Sequence, residues 1–549
     1  MSARSAIRFM ARVPNGATGA RAMSSNMITQ KGGAHGNRPA AHMQWRNKPL
    51  LRREGDVMFR TGAEAVAILK DESGRRDHNE VQFNATFGSC LDALAPVFDR
   101  NPKLAWIAKQ LAEPERTITF RVAWLDDQGT LRLNRGFRCQ YSSSLGPYDG
   151  GLHFGKHVTT DYVKASAFDA LCMNSLSGGA AGGAAGGSDF NPENKSEAEI
   201  QRFCQCFMNE LSKYLGPDID HPGMGLGVGA REIGYMYGQW KRTHQVGAQR
   251  GRGLLWGGAA PFPHATGFGV AHFAEALLQD KKATFGLGKA PPLAPRLLKD
   301  DKRGRRGGGQ AHGSLRLLLS RLLCPPAVQD SLKGKRVLIT GSGDVALAVA
   351  EKVIAFGGHP ITLSDSSGHI FEEDGIDASK LSVIKKIKAD RGARIGRYIV
   401  ASTTAKFLQP ENIYSIPCDV CIPCSGEVHA IGKTEATLLA DHGCKMVVEG
   451  GNLPSTQEAV ASFKKRGLLY GPYKASLSIG TVANGPNLSH RPLASTAELD
   501  AALAERSLAV LTQVKRTAKE FNAIGDLNRG TEIASFLKVA EVMMAHGAV

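Results

Sequence analysis

A glycine-rich turn between two predicted strands constrains the fold of this chain more than any other feature. The apolar strand Arg336–Thr340 leads into Gly341-Ser-Gly-Asp-Val-Ala346, and a helix with small residues on one face continues to Phe356. A second predicted strand, 360–365, ends in an acidic residue. The glycines let the backbone approach a pyrophosphate at the helix N-terminus, where free N–H groups point outward. This order of elements is the dinucleotide fingerprint and predicts a Rossmann unit.

The residues after the second strand favour one type of dinucleotide. Ser366 follows the acidic Asp365, and Lys388, Arg391 and Arg394 lie about 25 residues further on. Hydroxyls and cations suit a 2′-phosphate better than a free ribose, so the pattern favours NADP. The alternative interpretation is a basic helix that faces solvent.

The formal net charge of +17 is concentrated in two segments, 1–60 and 283–332. The first has arginines at positions 4, 8 and 12 and no acidic residue before Glu54. This is the pattern of a mitochondrial presequence, which predicts the mitochondrial matrix, and the alternative is a disordered basic tail. The second is rich in Arg, Gly, Pro and Leu and is interpreted as an insertion, either a surface loop or disordered, or as a translated intron.

Composition argues against a membrane-spanning protein and leaves open a protein that binds RNA or an acidic surface. No run of about 18 apolar residues occurs, so no transmembrane helix is predicted. The basic segments 31–60 and 283–332 would suit RNA or an acidic surface, although 283–332 has almost no aromatic residues on which bases could stack.

Three cysteines, Cys418, Cys421 and Cys424, have a spacing that resembles a metal site. In a strand, however, Cys418 and Cys424 would face one way and Cys421 the other, so the three thiolates would not converge. We therefore predict a buried strand and no metal.

The first half of the chain predicts a mixed α/β domain. Period-two alternation predicts strands over 117–124 and 130–141, joined by a hairpin turn at 126–129. Apolar spacing predicts helices over 83–112, 196–215 and 269–279.

Ordered motifs extend from about residue 78 to the C-terminus, outside 283–332. They are Pro114-Glu-Arg, Arg121-Val-Ala-Trp-Leu-Asp-Asp, Asn134-Arg, Ser143-Ser-Leu-Gly-Pro-Tyr148, Gly186-Gly-Ser-Asp-Phe190, Gly227-Val-Gly-Ala-Arg-Glu232, Ala265-Thr-Gly-Phe-Gly269, Gly341-Ser-Gly-Asp-Val-Ala, Ser364-Asp-Ser-Ser-Gly, Glu449-Gly-Gly-Asn-Leu-Pro454 and Ile533-Ala-Ser-Phe-Leu-Lys-Val-Ala. Together they resemble hexameric NADP-linked glutamate dehydrogenase, of the Glu/Leu/Phe/Val dehydrogenase superfamily.

The resemblance implies an α/β fold class and a division of the chain. A presequence and basic extension (1–77) would precede an α/β substrate and oligomerisation domain (78–260). A Rossmann-like domain (261–500) would contain the insertion, and C-terminal helices (501–549) would return to the first domain. The chain would be a homo-oligomer or a subunit of a larger mitochondrial assembly. The implied cofactor, NADP, would be bound by Thr266, Gly341, Gly343, Asp344, Val345, Asp365, Ser366, Lys388, Arg391 and Asn452.

The resemblance also implies a reaction whose groups this chain has replaced. The family interconverts glutamate with 2-oxoglutarate and ammonia. Two of its lysines bind substrate carboxylates, a third has a lowered pKa and activates water or the carbonyl, and an aspartate moves protons. In the same order, the matching positions are Asp149, Met173, Ala185 and Gly225; in a looser alignment a substrate-side Ser falls at Asn484 and a cofactor-side Asn at Leu477.

These replacements predict a protein that has kept the fold and lost the chemistry, with a structural or regulatory role. Lys156, His153 or His157 would have to supply a displaced charge for the reaction to survive. The alternatives are an active NADP-dependent glutamate dehydrogenase and a sensor that binds NADP without turnover. A cationic or neutral amino acid attracted by Asp149 is a further possible ligand.

Overall fold

The computed structural model describes residues 59–244, 262–280, 330–390, 392–481 and 495–547. The predicted presequence, most of the predicted insertion, Arg391 and Asn484 lie outside the described residues.

A mixed five-stranded sheet forms the centre of the first domain, in the order β1-β2-β4-β3-β5. Its strands are β1 (Arg116–Leu125), β2 (Leu131–Ser142), β3 (Tyr148–Phe154), β4 (Gly183–Ser188) and β5 (Asp220–Gly223). β1 and β2 form the predicted antiparallel hairpin, and β3 pairs in parallel with β4 and β5. The low-complexity stretch 178–187 contributes the central β4, which is buried throughout. A Cβ on Gly183 would lie 2.4 Å from Leu171 Cβ, so the small residues let a helix approach this strand closely.

The helices described in this domain are α1 (Gly62–Arg76), α2 (Val81–Arg100), α3 (Leu104–Gln110), α4 (Thr160–Ser177), α5 (Glu197–Leu211) and α6 (Ala230–His244). α4 and α5 pack on the sheet, α2 packs on α4, and α6 packs on α5. The single helix predicted over 83–112 is two helices, because α2 ends before Asn101-Pro102. α1 packs against α2 and buries Val66 and Leu69 in the domain core. The predicted boundary at residue 78 is therefore too late, and 59–77 belong to the folded domain.

The second domain is built on a parallel sheet in the order β13-β12-β11-β6-β7. Its strands are β6 (Arg336–Thr340), β7 (His359–Pro360), β11 (Val420–Pro423), β12 (Met446–Val448) and β13 (Leu469–Gly471), beside an antiparallel sheet of β8 (Thr362–Asp365), β9 (Gly368–Phe371) and β10 (Lys406–Leu408). The strand predicted over 360–365 is interrupted at Ile361, so that β7 pairs with β6 whereas β8 pairs with β9. The helices are α7 (Phe262–Gln279), α8 (Asp344–Ala355), α9 (Ala378–Ala389), α10 (Lys433–Asp441), α11 (Gln457–Arg466) and α12 (Tyr473–Ser478).

The two C-terminal helices pack on different parts of the molecule. α14 (Leu527–Ala545) packs on α2, α3 and α4 of the first domain, as the resemblance implied. α13 (Thr496–Glu520) packs on both α7 and α14, and its Leu499 and Leu503 join the core of the second domain. α13 therefore contacts both domains, whereas the division at residue 501 would place it with the first domain alone.

Two smaller expectations also need correction. The predicted insertion 283–332 extends too far, because Leu332 is fully buried in the core of the second domain. Cys418 precedes β11, and it shares a buried cluster with Cys421, whereas Cys424 packs against the core on the other side of the sheet. Strand alternation therefore does not apply to Cys418. Within the described ranges, no group of three His, Cys, Asp or Glu side chains is arranged to hold a metal ion, and no helix is long and apolar enough to cross a membrane.

Candidate functional site

An open cleft of about 1730 Å³ lies between the two domains. Side chains and backbone from β3, β4 and α4 line one wall, and the loops after β6, β8 and β11 line the other. The cleft brings together the predicted site residues Asp149, Met173, Ala185, Gly225, Thr266, Gly341, Gly343, Asp344, Val345, Asp365, Ser366, Lys388, Asn452 and Leu477.

The glycine-rich turn lies at the C-terminal ends of β6 and β11, the point at which strand order in the parallel sheet reverses. Gly341 has a φ of +88°, and a Cβ there would lie 2.8 Å from the carbonyl oxygen of Cys424. Gly343 is the N-cap of α8, and a Cβ at this position would meet no atom within 4 Å. The turn therefore leaves room for phosphates at a helix N-terminus and fits a dinucleotide. The exposed carboxylate of Asp344 is a negative charge at the same helix end.

The acidic residue at the end of β8 accepts hydrogen bonds from the protein itself. Asp365 Oδ2 accepts a hydrogen bond from the N–H of Ile395 at 2.7 Å, and Oδ1 accepts one from the N–H of Ser367 at 2.8 Å. Although burial opposes the charge, these hydrogen bonds lower the pKa of Asp365. Both of its oxygens are occupied, so its neighbours are better placed to meet a ribose substituent.

The neighbours of Asp365 are the hydroxyl of Ser366 and the cations Lys388 and Arg394. Arg394 Nη1 donates to Ser366 Oγ at 2.5 Å, and Lys388 Nζ lies 3.9 Å from Asp365 Oδ2. Lys388 also donates to the carbonyl oxygen of Ala393 at 3.0 Å. This arrangement has the chemistry of a 2′-phosphate site, because cations and a hydroxyl surround an edge of the cleft.

The middle of the cleft is formed where α7 meets α12. A Cβ on Gly480 would lie 2.6 Å from Thr266 Cα, so this glycine permits the chain just after α12 to approach α7 closely. Leu477 lines the same part of the cleft and is buried.

Buried side chains donate hydrogen bonds to the backbone at Asp149 and Gly150. Arg138 Nη1 donates to the carbonyl oxygen of Gly150 at 3.2 Å, while its Nε donates to Asp220 Oδ2 at 3.0 Å. Asn174 Nδ2 donates to the carbonyl oxygen of Asp149 at 3.4 Å. Arg138 and Asp220 are fully buried, so β3 and β5 are fixed where Asp149 enters the cleft.

The other two lysine positions are apolar. Met173 lies on α4 and packs against the core of the second domain. Ala185 lies on β4 opposite Cys139 of β2, and is only 2% exposed. The position that the resemblance assigns to a glycine-rich loop is therefore on a central strand.

Gly225 is the position that the resemblance assigns to the proton-transfer aspartate, and neighbouring atoms leave no space there for a side chain. A Cβ on Gly225 would lie 2.3 Å from the carbonyl oxygen of Leu152 and 3.0 Å from His153 Cε1. His153 Nδ1 accepts a hydrogen bond from the N–H of Leu226 at 3.1 Å. The neutral ring must then carry its hydrogen on Nε2. Burial lowers the pKa of His153 to about 4, so it supplies no cation at neutral pH.

The other proposed replacement charges lie elsewhere. Lys156 and His157 are exposed, and neither lines the cleft. Among the residues that the structure describes, no displaced lysine takes the place of those missing from this end.

A buried ionic network behind the cleft was not predicted. Lys474 Nζ of α12 donates to both carboxylate oxygens of Glu532 of α14, at 2.8 and 2.9 Å, and lies 3.4 Å from Asp169 Oδ1 of α4. Burial raises the pKa of Asp169 to about 6 and the pKa of Glu449 to about 7. Despite the opposing effect of burial, Glu532 raises the pKa of Lys474. The sequence contains no local signal for this network, because its members are far apart along the chain.

Comparisons with known proteins agree with this architecture. Residues 114–242 match the dimerisation domain of the Glu/Leu/Phe/Val dehydrogenases, and residues 320–547 match the Glutamate/Leucine/Phenylalanine/Valine dehydrogenase domain. The NADP-specific glutamate dehydrogenase of Giardia intestinalis is 34% identical over 494 residues, which are 88% of this chain and 98% of that protein. The corresponding enzyme of Chlorella sorokiniana is 36% identical over 490 residues, 88% of this chain and 84% of that protein.

A solved structure has the same fold. The glutamate dehydrogenase of Plasmodium falciparum superposes with a TM-score of 0.75 at 34% identity, over 88% of this chain and 95% of that one. The sheet order, the cleft and these similarities agree, and the chain belongs to the Glu/Leu/Phe/Val dehydrogenase family.

Proposed function

We propose that this protein binds NADP or NADPH in the interdomain cleft and does not catalyse the interconversion of glutamate and 2-oxoglutarate. The observation that carries the proposal is the charge at the substrate end, where Asp149 replaces a carboxylate-binding lysine. Met173 and Ala185 replace the other two lysines, and the space at Gly225 is filled by its neighbours. The role is then structural or regulatory, within a family whose named relatives are NADP-specific enzymes.

The expected loss of rate is large. Each missing acid or base costs on the order of 10²–10⁴ in rate. The substrate also loses charge-assisted hydrogen bonds, each of which contributes about 1.5–3 kcal/mol. The losses are not additive, but any one of them is enough to separate this protein from an active relative.

The decisive experiment is the oxidation of NADPH with 2-oxoglutarate and ammonium by the purified full-length chain. We expect no turnover above background, together with calorimetric binding of NADPH. Turnover similar to that of an NADP-specific relative would contradict the proposal and favour the alternative, an active NADP-dependent glutamate dehydrogenase. Absence of NADPH binding at about millimolar concentration would contradict the cofactor part of the proposal.

The specificity for NADPH over NADH can be tested separately with two arginines. Arg394 reaches Ser366 in the cleft, whereas Arg397 is exposed outside it. Replacement of Arg394 by Ala should weaken NADPH binding by about tenfold and leave NADH binding nearly unchanged, because a charged hydrogen bond is lost. Arg397→Ala is the matched control and should change neither.

We also propose a homo-oligomer located in the mitochondrial matrix. The exposed Leu125, Leu131 and Leu133 on the β1–β2 hairpin support oligomer formation, since they form an apolar surface on a domain that matches a dimerisation model. Sedimentation of a monomer at micromolar concentration would contradict the first part. The acid-free basic pattern of residues 1–53 supports import, and a fusion of residues 1–60 to a fluorescent protein that stays in the cytosol would contradict the second.

A further inference from the structure

Three buried cysteines lie on one side of the parallel sheet of the second domain, outside the cleft. Cys418, Cys421 and Cys444 belong to the same apolar cluster, and all three are free thiols. Cys421 lies on β11, whereas Cys418 precedes β11 and Cys444 precedes β12. The proposed function uses none of them, because none lines the cleft.

The pairing of the two strands brings Cys418 and Cys444 side by side. β11 and β12 are parallel, and their ladder places Val420 opposite Met446. The carbonyl oxygen of Asp419 also accepts a hydrogen bond from the N–H of Met446 at 3.3 Å, so the chains stay adjacent ahead of the ladder. Each cysteine precedes this pair by two residues. Neighbouring strands lie about 4.8 Å apart, which is within the range of about 4.4–6.8 Å that the Cα atoms of a disulfide span.

The sulfur atoms of these two cysteines are in hydrogen-bonding contact inside the cluster. The thiol of Cys418 donates to Cys444, and this hydrogen bond raises the pKa of Cys418 well above its usual value. Cys444 Sγ in turn donates to the carbonyl oxygen of Met446 at 3.3 Å. Cys421, by contrast, is opposite Val447 in the ladder. Cys418 and Cys444 are therefore the pair whose sulfur atoms can join with the least movement.

The pair lies just below the surface, at the N-terminal ends of strands whose C-terminal ends face the cleft. Cys418 and Cys444 are 6% and 5% exposed, whereas their neighbours Pro417, Gly443 and Lys445 are exposed. A small oxidant therefore needs only a local opening of the two loops that enter β11 and β12.

We propose that Cys418 and Cys444 are a reversible dithiol–disulfide site that ties β11 to β12 and stabilises the second domain when oxidised. Hydrogen peroxide is a sufficient oxidant. One sulfur attacks it as a thiolate, the O–O bond breaks, and a sulfenic acid and water form. The second sulfur attacks the sulfenic sulfur, the S–O bond breaks, and a second water leaves. Two thiols thus lose two protons and two electrons, and the disulfide restricts the unfolded chain between residues 418 and 444.

Peptide mapping of the oxidised full-length protein tests the inference. The native protein is treated with hydrogen peroxide at neutral pH, its remaining thiols are alkylated, and the unreduced peptides are identified by mass spectrometry. We expect a pair of peptides linked through Cys418 and Cys444, which dithiothreitol separates again. The oxidised protein should also unfold at a temperature a few degrees above that of the reduced protein.

Three variants identify the pair. Cys418→Ala and Cys444→Ala should each abolish the linked peptides and the rise in unfolding temperature. Cys421→Ala is the matched control, because this cysteine belongs to the same cluster but is opposite Val447, and it should retain both effects. Circular dichroism establishes that each variant is folded.

Three results would overturn the inference. The first is recovery of Cys418 and Cys444 from the oxidised wild-type protein without a link between them. The second is a link that forms only when the protein is unfolded before oxidation. The third is a linked protein whose unfolding temperature does not rise. None of these results depends on whether the protein turns over glutamate, because both cysteines lie outside the cleft.

Discussion

Replacement of Glu449 by Gln is expected to stabilise the protein, and the gain should grow as the pH rises. Glu449 is buried at the C-terminal end of β12, where its Oε2 accepts a hydrogen bond from the N–H of Tyr473 at 3.0 Å. Its Oε1 and the hydroxyl of Ser455 have no partner of ordinary geometry among the described residues. A Gln side chain can keep the bond from Tyr473 and donate its amide to Ser455, without a charge to bury.

The magnitude follows from the shifted pKa. Burial raises the pKa of Glu449 from 4.5 to about 7, so the folded state holds its proton over a pH range in which the unfolded chain has lost it. Stability from this group is present below the unfolded value and is lost as the pH rises towards 7. The shift corresponds to about 3 kcal/mol once both states are ionised near pH 8, and to about 1 kcal/mol or less near pH 5.

The assay is denaturant unfolding of wild type and variant without nucleotide, at about pH 5 and pH 8. The Gln variant should be more stable by about 2–3 kcal/mol at the higher pH and by much less at the lower one. Glu373→Gln, at an exposed carboxylate, should follow the wild type at both. A Glu449→Gln variant whose stability changes with pH just as the wild type's does would refute the reasoning, because the buried charge would then have no measurable cost.

Three further predictions concern the glycines and the charge around the cleft. Asp344→Asn should strengthen NADPH binding about fivefold at low salt, because it removes a carboxylate from the helix end that would face phosphate, and calorimetry that finds unchanged affinity would contradict this. Gly341→Ala should cost about 1–2 kcal/mol in stability and weaken NADPH binding, since φ is +88° there, which thermal unfolding and titration can check. Gly225→Asp alone should destabilise the protein by about 1–3 kcal/mol and restore no glutamate turnover, and an active, equally stable variant would show that the space is free.

Local signals predicted the parts of the fold that local physics determines. The strand Arg336–Thr340 and the hairpin of β1 and β2 follow from apolar runs and period-two alternation, and the structure has both. The strand Gly183–Ser188 lies in a stretch of glycine and alanine with no such pattern. Its conformation depends on the neighbouring strands and on α4, and therefore requires the tertiary structure.

The candidate site was also predictable from the sequence only in part. Positions within continuous motifs, such as Gly341 and Asp149, were located in the cleft from the sequence alone. The contact of Asp169, Lys474 and Glu532 was not, because α4, α12 and α14 meet only after the two domains and the C-terminal helix have packed together. A buried lysine is distinguished from a solvated one by its partners, and a sequence does not show them.

The replacements at the substrate end are tightly packed, and restoring one group at a time should fail. Ala185 is only 2% exposed on the central strand β4, where it lies opposite Cys139 of β2, so a lysine side chain would need its neighbours to move. The ring of His153 and the carbonyl of Leu152 must also move before an aspartate fits at Gly225. The packing at this end of the cleft thus opposes the return of a single lysine or aspartate.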